Sequence, residues 1–177
     1  MNKIVINCIE AAVLISIAFI SDIKSRKIKN KLTLTFIILG LLTNLIFSGV
    51  EGLINSLLGI LIPIVLLFGL YALRMLGAGD IKLLSALGAV FGAREILKIM
   101  AYSFIAGGII ALVLIMVRKN AKERLLYLFN YLKSVLLTLH IMPYTDFEDK
   151  EDRGKFPFAY AVFCGGLFYI IVELVKI

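Results

Sequence analysis

The chain has no tryptophan, a single histidine, two cysteines and three prolines in 177 residues, and its 12 acidic side chains are outnumbered by 19 basic ones. Each scarcity removes a class of chemistry. No Ser-His-Asp set can be built around the lone His140, which ends an amphipathic stretch where an interfacial role is the plainer one. Cys8 and Cys164 lie inside apolar segments with no Cys-x-x-Cys spacing and no histidine cluster, so neither a zinc site nor a disulfide framework is indicated. Both are small hydrophobes. The expectation is therefore no metal and no cofactor. The net charge of +7 is spread over short loops beside apolar runs, a pattern that speaks for a membrane rather than for a nucleic-acid partner.

What the chain has in abundance is apolar sequence, 61% of its residues, with a mean hydropathy of +1.00. The runs are Ile4 to Ile20, Leu32 to Phe47, Leu53 to Leu73, Ile81 to Phe91, Ile96 to Val117 and Phe156 to Val175. Most approach the ~20 residues that a bilayer requires. The fourth is short at ~1.5 Å per residue, which predicts a tilted or partly re-entrant helix whose irregular backbone neighbouring protein must satisfy. The fold expected is all-α: a polytopic bundle in the lipid bilayer with about six transmembrane helices, residues 1–177 forming one domain. The first run is expected to be retained, because its basic cluster follows it and its only small-x-small candidate, Ser16-Ile17-Ala18, lies within the run.

One insertion, residues 118–155, interrupts the bundle. Leu125, Leu128, Phe129, Leu132, Val135, Leu136 and Leu139 recur there at spacings of three and four, which predicts an amphipathic helix lying on the membrane surface. After Pro143 the charged stretch from Asp146 to Gly154 suggests a lid or linker.

Basic residues set the orientation, since cytoplasmic loops retain Lys and Arg. With six crossings, one side carries Lys24, Arg26, Lys27, Lys29, Lys31, Arg74, Lys82, Arg118, Lys119, Lys122, Arg124, Lys133, Lys150, Arg153 and Lys155; the other carries only Lys3, Arg94, Lys98 and Lys176. Both termini are then outside, and Asp22 and Asp80 share the cytoplasmic face. One crossing more or fewer between them would separate the two acids.

Acids at the ends of apolar helices are costly and usually functional. Asp22 stands where the first run gives way to a basic loop, an interfacial position reachable by water; its alternative role is an i,i+4 pair with Arg26, worth roughly 0.3–0.5 kcal/mol. Asp80 follows Gly77 and Gly79, whose missing Cβ atoms allow a helix or a substrate backbone to approach. Its alternative is to cap a helix beginning at Ile81 after a tight glycine turn. Lys82, at i+2, points away from Asp80 on a regular helix and is expected to snorkel to the interface. Two acids brought together cannot both ionise, so they would share a proton and activate a water, as an aspartic protease does. Gly88 with Gly92, and Gly107 with Gly108 and Ala111, form small-residue faces that predict helix packing.

The two aspartate motifs together resemble those of the type 4 prepilin peptidases, membrane aspartic proteases of the Gly-x-Gly-Asp class. Asp22, Arg26, Ile28 and Asn30 align with that family's Asp-x-x-x-Arg-x-Ile-Pro-Asn, with Lys29 in the proline's place; Gly77, Gly79, Asp80 and Lys82 match Gly-x-Gly-Asp-x-Lys throughout. Phe156-Pro157-Phe158-Ala159 is similar to an apolar-Pro-Phe-small element of the family, which makes Pro157 a supporting residue. The resemblance implies Asp22 and Asp80 as the catalytic pair, with Gly77, Gly79, Lys82, Arg26, Asn30 and Pro157 in support. It implies cleavage, just after a glycine, of the basic leader of a pilin-like precursor at the inner membrane's cytoplasmic face. Nothing like the Cys-x-x-Cys insertion of the larger bifunctional members precedes Asp22. The chain is therefore similar to the short peptidases of tight-adherence pilus systems and to preflagellin peptidases, and no N-methyltransferase activity is expected. A presenilin-type protease fits less well, lacking a Tyr before the first aspartate and a late Pro-Ala-Leu. Two other classes stand beside it: a proton- or cation-coupled transporter or channel subunit using the same acids, and a structural subunit of an export machine. Oligomeric state is not legible.

Overall fold

The structure, a computed structural model, describes residues 3–25, 27–73, 75–118 and 158–176. All regular structure among the described residues is helical: α1 (Lys3–Ser25), α2 (Asn30–Ala72), α3 (Ala78–Phe91), α4 (Ala93–Arg118) and α5 (Ala159–Val175). The insertion predicted to hold a surface helix and a charged linker lies outside these residues, as do Arg26 and Pro157.

The longest helix is two limbs. At Gly49 the backbone takes φ 59° and ψ −148°, a left-handed geometry that glycine adopts without penalty. The chain reverses there, as its contacts require. Gly40, in the first limb, and Gly59, in the second, would stand ~28 Å apart on a straight helix at ~1.5 Å per residue. Yet both press on one turn of α3, Gly40 against Ala89 and Val90, and Gly59 against Gly88. The break predicted between Phe47 and Leu53 is thus a one-glycine hairpin rather than a loop.

α3 occupies the centre. Every residue from Leu83 to Val90 is buried, which is how a helix that is apolar all round must sit. Its 14 residues reach ~21 Å, shorter than a hydrocarbon core. The surrounding helices resolve the mismatch by supplying the polar partners that lipid cannot. At its C-terminal end Asn44 Nδ2 donates to the Ala89 and Val90 carbonyls at 3.0 and 2.9 Å, Asn7 Nδ2 donates to Val90 O at 2.9 Å, and Ser56 Oγ to Ala89 O at 2.8 Å. Gly92, with φ 88°, then turns the chain straight into α4, whose Ala93 N–H is taken by Asn55 Oδ1 at 3.1 Å. Gly92 is therefore a helix terminator as well as the packing residue its spacing predicts, since a Cβ there would overlap the Asn55 side chain and one on Gly59 would stand 2.9 Å from the Gly92 carbonyl carbon. Of the other small residues, Gly88 and Gly107 do pack, Gly107 against Phe158 and Ala161, while Gly108 faces open space.

α1 and α5 meet through Phe19, stacked on Phe163 at 4.5 Å and edge-on to Tyr160 at 4.9 Å. α5 also crosses α4 where Gly165 rests on the Tyr102–Ser103 backbone. Large apolar side chains such as Ile9, Ile46, Val65, Phe68, Ile105 and Ile171 face outward, the inverse of a water-soluble surface and the arrangement that lipid favours. Among the described residues three helices are long and apolar enough to cross a membrane: Lys3–Ser25, Asn30–Ala72 and Ala93–Val117. α5, at 17 residues, is a shorter apolar helix.

Candidate functional site

Asp22 sits in the last turn of α1, and the reason it turns inward is the helical stripe it ends. Ala11, Leu14, Ile15 and Ala18 are the core-facing positions of α1, and Asp22 continues their spacing by one turn. It is 7% exposed. Asp22 is thus buried against the bundle near the end of α1: the stripe, not the basic loop that follows, decides where its side chain points.

Asp80 is placed by the start of α3. Gly77 has an extended backbone (φ −77°, ψ 147°) and the helix begins at Ala78, so Asp80 falls at the third helical position and not ahead of a helix starting at Ile81. From there its carboxylate reaches back to the Gly77 N–H, the acidic half of a capping box. A Cβ on Gly77 would stand 3.2 Å from Asp80 Oδ2, which is one reason for glycine at that position. The capping alternative is therefore correct in substance, and it is compatible with a second role for the same carboxylate.

The two motifs also grip each other away from the acids. Lys82 Nζ donates to Asn30 Oδ1 at 3.0 Å, and a Cβ on Gly79 would meet Ile28 at 3.5 Å. Lys82 thus points away from Asp80, as its i+2 spacing predicts, and finds a partner in the other motif. The turn between α1 and α2 is tied by Ser21 Oγ and Ser25 Oγ, which both donate to Lys27 O at 3.0 and 3.1 Å. Lys29, where the family pattern has proline, takes φ −69°. That is close to the ~−65° a proline ring would impose, so the turn keeps its shape without the ring. On the α5 side, Phe158 packs beside Gly107 and Phe104, and Tyr160 reaches α1 three residues before Asp22 through Phe19.

Asp80 lies in the first turn of α3, ahead of the apolar run and outside the three spans. Its carboxyl is pushed from 3.8 up to about 7, first by burial and then by the charge of Asp22, while the Gly77 N–H pulls the other way. The Asp22 charge is therefore felt directly at Asp80. The titration of two carboxylates so disposed belongs to the pair. Among the described residues no group of three or more His, Cys, Asp or Glu side chains comes together.

The sign of this shift gives a stability prediction. A carboxyl whose folded value is raised binds more protons folded than unfolded between about pH 4 and 7, so stability falls as pH rises through that window and levels off above it. Asp80→Asn removes the penalty. Its stability in detergent, read as the melting temperature, should exceed that of the unsubstituted chain by a margin that widens from pH 4 to 7, corresponding to at most about 4 kcal/mol of unfolding free energy above pH 7. An equal margin at pH 4.5 and pH 8 would contradict the raised value.

The sequence of residues 9–112 matches the model of the type IV leader peptidase family, a stretch that contains both aspartates and the four helices α1 to α4 in whole or in large part. No curated protein and no solved structure matches. With well over half the chain covered and both motifs inside the match, the protein belongs to the type IV leader peptidase family, and membership implies a membrane peptidase acting in general on pilin-like substrates.

Proposed function

We propose that the chain is an aspartic endopeptidase in which Asp22 and Asp80 act on one water. The observation that carries this is the meeting of the two motifs, Lys82 Nζ donating to Asn30 Oδ1 at 3.0 Å and Gly79 lying against Ile28, with the Asp22 charge acting on the buried Asp80 carboxyl. The ionised carboxylate takes a proton from water as its oxygen attacks the scissile carbonyl carbon. The protonated partner donates to the carbonyl oxygen, and collapse of the tetrahedral species expels the amine with a proton from the first acid. Gly77 and Gly79 leave room for the substrate backbone, and the Asn30–Lys82 bond, with Arg26 and Pro157, supports the two motifs.

The substrate is the leader junction of a pilin-like precursor. A precursor whose apolar helix lies in the bilayer presents that junction at the cytoplasmic surface, where the basic-residue bias puts both acids. Six crossings then follow from α1, the two limbs of α2, α3, α4 and α5, with both termini outside the inner membrane. The chain works as one peptidase domain without N-methyltransferase activity. The acidic stretch Asp146 to Asp152 gives a basic leader an electrostatic approach.

The test is to reconstitute the full chain in liposomes with a precursor carrying a basic leader on an apolar helix and to sequence the product's N-terminus. One cut at the junction, after glycine, is expected. Proton or cation flux with no cleavage of any such precursor would overturn the peptidase in favour of a transporter.

A further inference from the structure

Towards the opposite end of α3 from Asp80, three buried oxygens have no hydrogen-bond donor among the described residues, Asn7 Oδ1, Asn44 Oδ1 and Glu10 Oε2; the fourth unpaired oxygen, Ser85 Oγ, is a hydroxyl within α3 that can itself donate. They belong together. Asn7 and Asn44, 5% and 1% exposed, donate through Nδ2 to the same carbonyl, Val90 O, which holds the two amide groups side by side. Glu10 lies one turn along α1 from Asn7 and is tied to the neighbour of Asn44, because Thr43 Oγ1 donates to Glu10 Oε1 at 2.6 Å. Every one of these unpaired atoms is an acceptor. The two amides cap the C-terminal end of α3, where the helix dipole is negative and favours positive charge nearby. Among the described residues no salt bridge reaches Glu10.

A buried acceptor without a donor costs roughly 1–3 kcal/mol, and a buried carboxylate more. Three such atoms from two helices, beside the end of a third, point to an occupant that is positive or donates. We infer that this cluster binds a monovalent hard cation of sodium's size, held by the amide oxygens of Asn7 and Asn44 and the carboxylate of Glu10. Oxygen-only ligation is what hard cations take. One charge, rather than two, matches the single carboxylate and leaves no net charge inside an apolar bundle. The bound cation ties α1 and the first limb of α2 to the end of α3, and so stabilises the helix that carries Asp80 independently of what Asp80 does.

The experiment is thermal unfolding of the purified full chain in detergent, in sodium, potassium or choline chloride at equal ionic strength. Sodium should raise the midpoint saturably by several degrees over choline, with potassium less effective, as mass action on a folded-state site requires. Glu10→Gln should abolish the difference between the salts. Should Glu10→Gln not fold, Thr43→Val, which keeps the carboxylate but frees it to turn, should shift the sodium midpoint to higher concentration. Equal midpoints in all three salts, or a sodium effect that survives both substitutions, would overturn the inference; water would then satisfy the three oxygens.

Discussion

Asp22→Asn and Asp80→Asn should each reduce precursor cleavage by at least about a thousandfold, and the double variant should be no slower than the worse of the two. Non-additivity is the informative part. Two residues that handle one water act as a unit, so removing either removes the step and removing the second costs almost nothing more. If Asp80 were only a helix cap and Asp22 only a partner for a nearby base, each substitution would cost about 1 kcal/mol of stability and their effects would add. Asn preserves size in both, and at Asp80 it still accepts from the Gly77 N–H, so the caps and the fold survive. The measurement is single-turnover cleavage of the reconstituted precursor, with circular dichroism to show that the helices are intact. Processing retained by either variant would remove the pair from the reaction. The unsubstituted chain should also lose activity as pH rises through about 7, where the Asp80 proton leaves.

The approach of the acids was legible from glycine: Gly77 and Gly79 mark a place where something comes close, and a Cβ on Gly77 would crowd Asp80 Oδ2. The membrane face they share rests on the proposed crossing number. How deeply each acid is set was not legible. Asp22 looks interfacial when read against the basic loop after it, and only the phase of α1, established by Ala11, Leu14, Ile15 and Ala18, turns it inward. The start of α3 was read three residues late, since Gly77-Ala78-Gly79 has poor helix propensity and yields to the capping contact from Asp80. The central place of α3 was hidden for a different reason. A short apolar run is ambiguous by itself, and what settles its position is polar chemistry on other helices, Asn7, Asn44, Asn55 and Ser56. Those side chains stand out in otherwise apolar runs, and polar groups inside such runs were the signal that could have found them. Arg26, Pro157 and residues 119–155 of the insertion fall outside the described residues, so their expected roles stand as proposals.

Gly59→Leu and Gly88→Leu should prevent the bundle from assembling, and even the alanine variants should lose several kcal/mol. Each glycine occupies the space where the other's Cβ would be. A Cβ on Gly59 would overlap the Gly88 carbonyl oxygen and stand 2.8 Å from its carbon, and a Cβ on Gly88 would overlap the Gly59 carbonyl in turn. The hydrogens at those positions instead point at the opposing oxygens, the geometry of paired Cα–H···O contacts, each worth about 0.5–1 kcal/mol. Pro63 contributes to this. Lacking an N–H, it leaves the Gly59 carbonyl four residues earlier without its helical donor, so that oxygen gains from another contact. The obstacle to a larger residue is backbone on both sides, which no rotamer change relieves, so the second limb of α2 must separate from α3 along the interface that also holds Ser56 to Ala89. Gly69→Ala and Gly108→Ala serve as controls, since nothing lies within 4 Å of either added methyl. In a helix those changes should be neutral or stabilise by up to about 1 kcal/mol. Thermal midpoints in detergent for the four alanine variants decide the matter, and midpoints for Gly59→Ala and Gly88→Ala within a degree of the controls would mean that α2 and α3 do not meet at this pair. Because α3 carries Asp80 at its other end, the same two variants should lose cleavage even at temperatures where they remain helical, whereas the controls keep it.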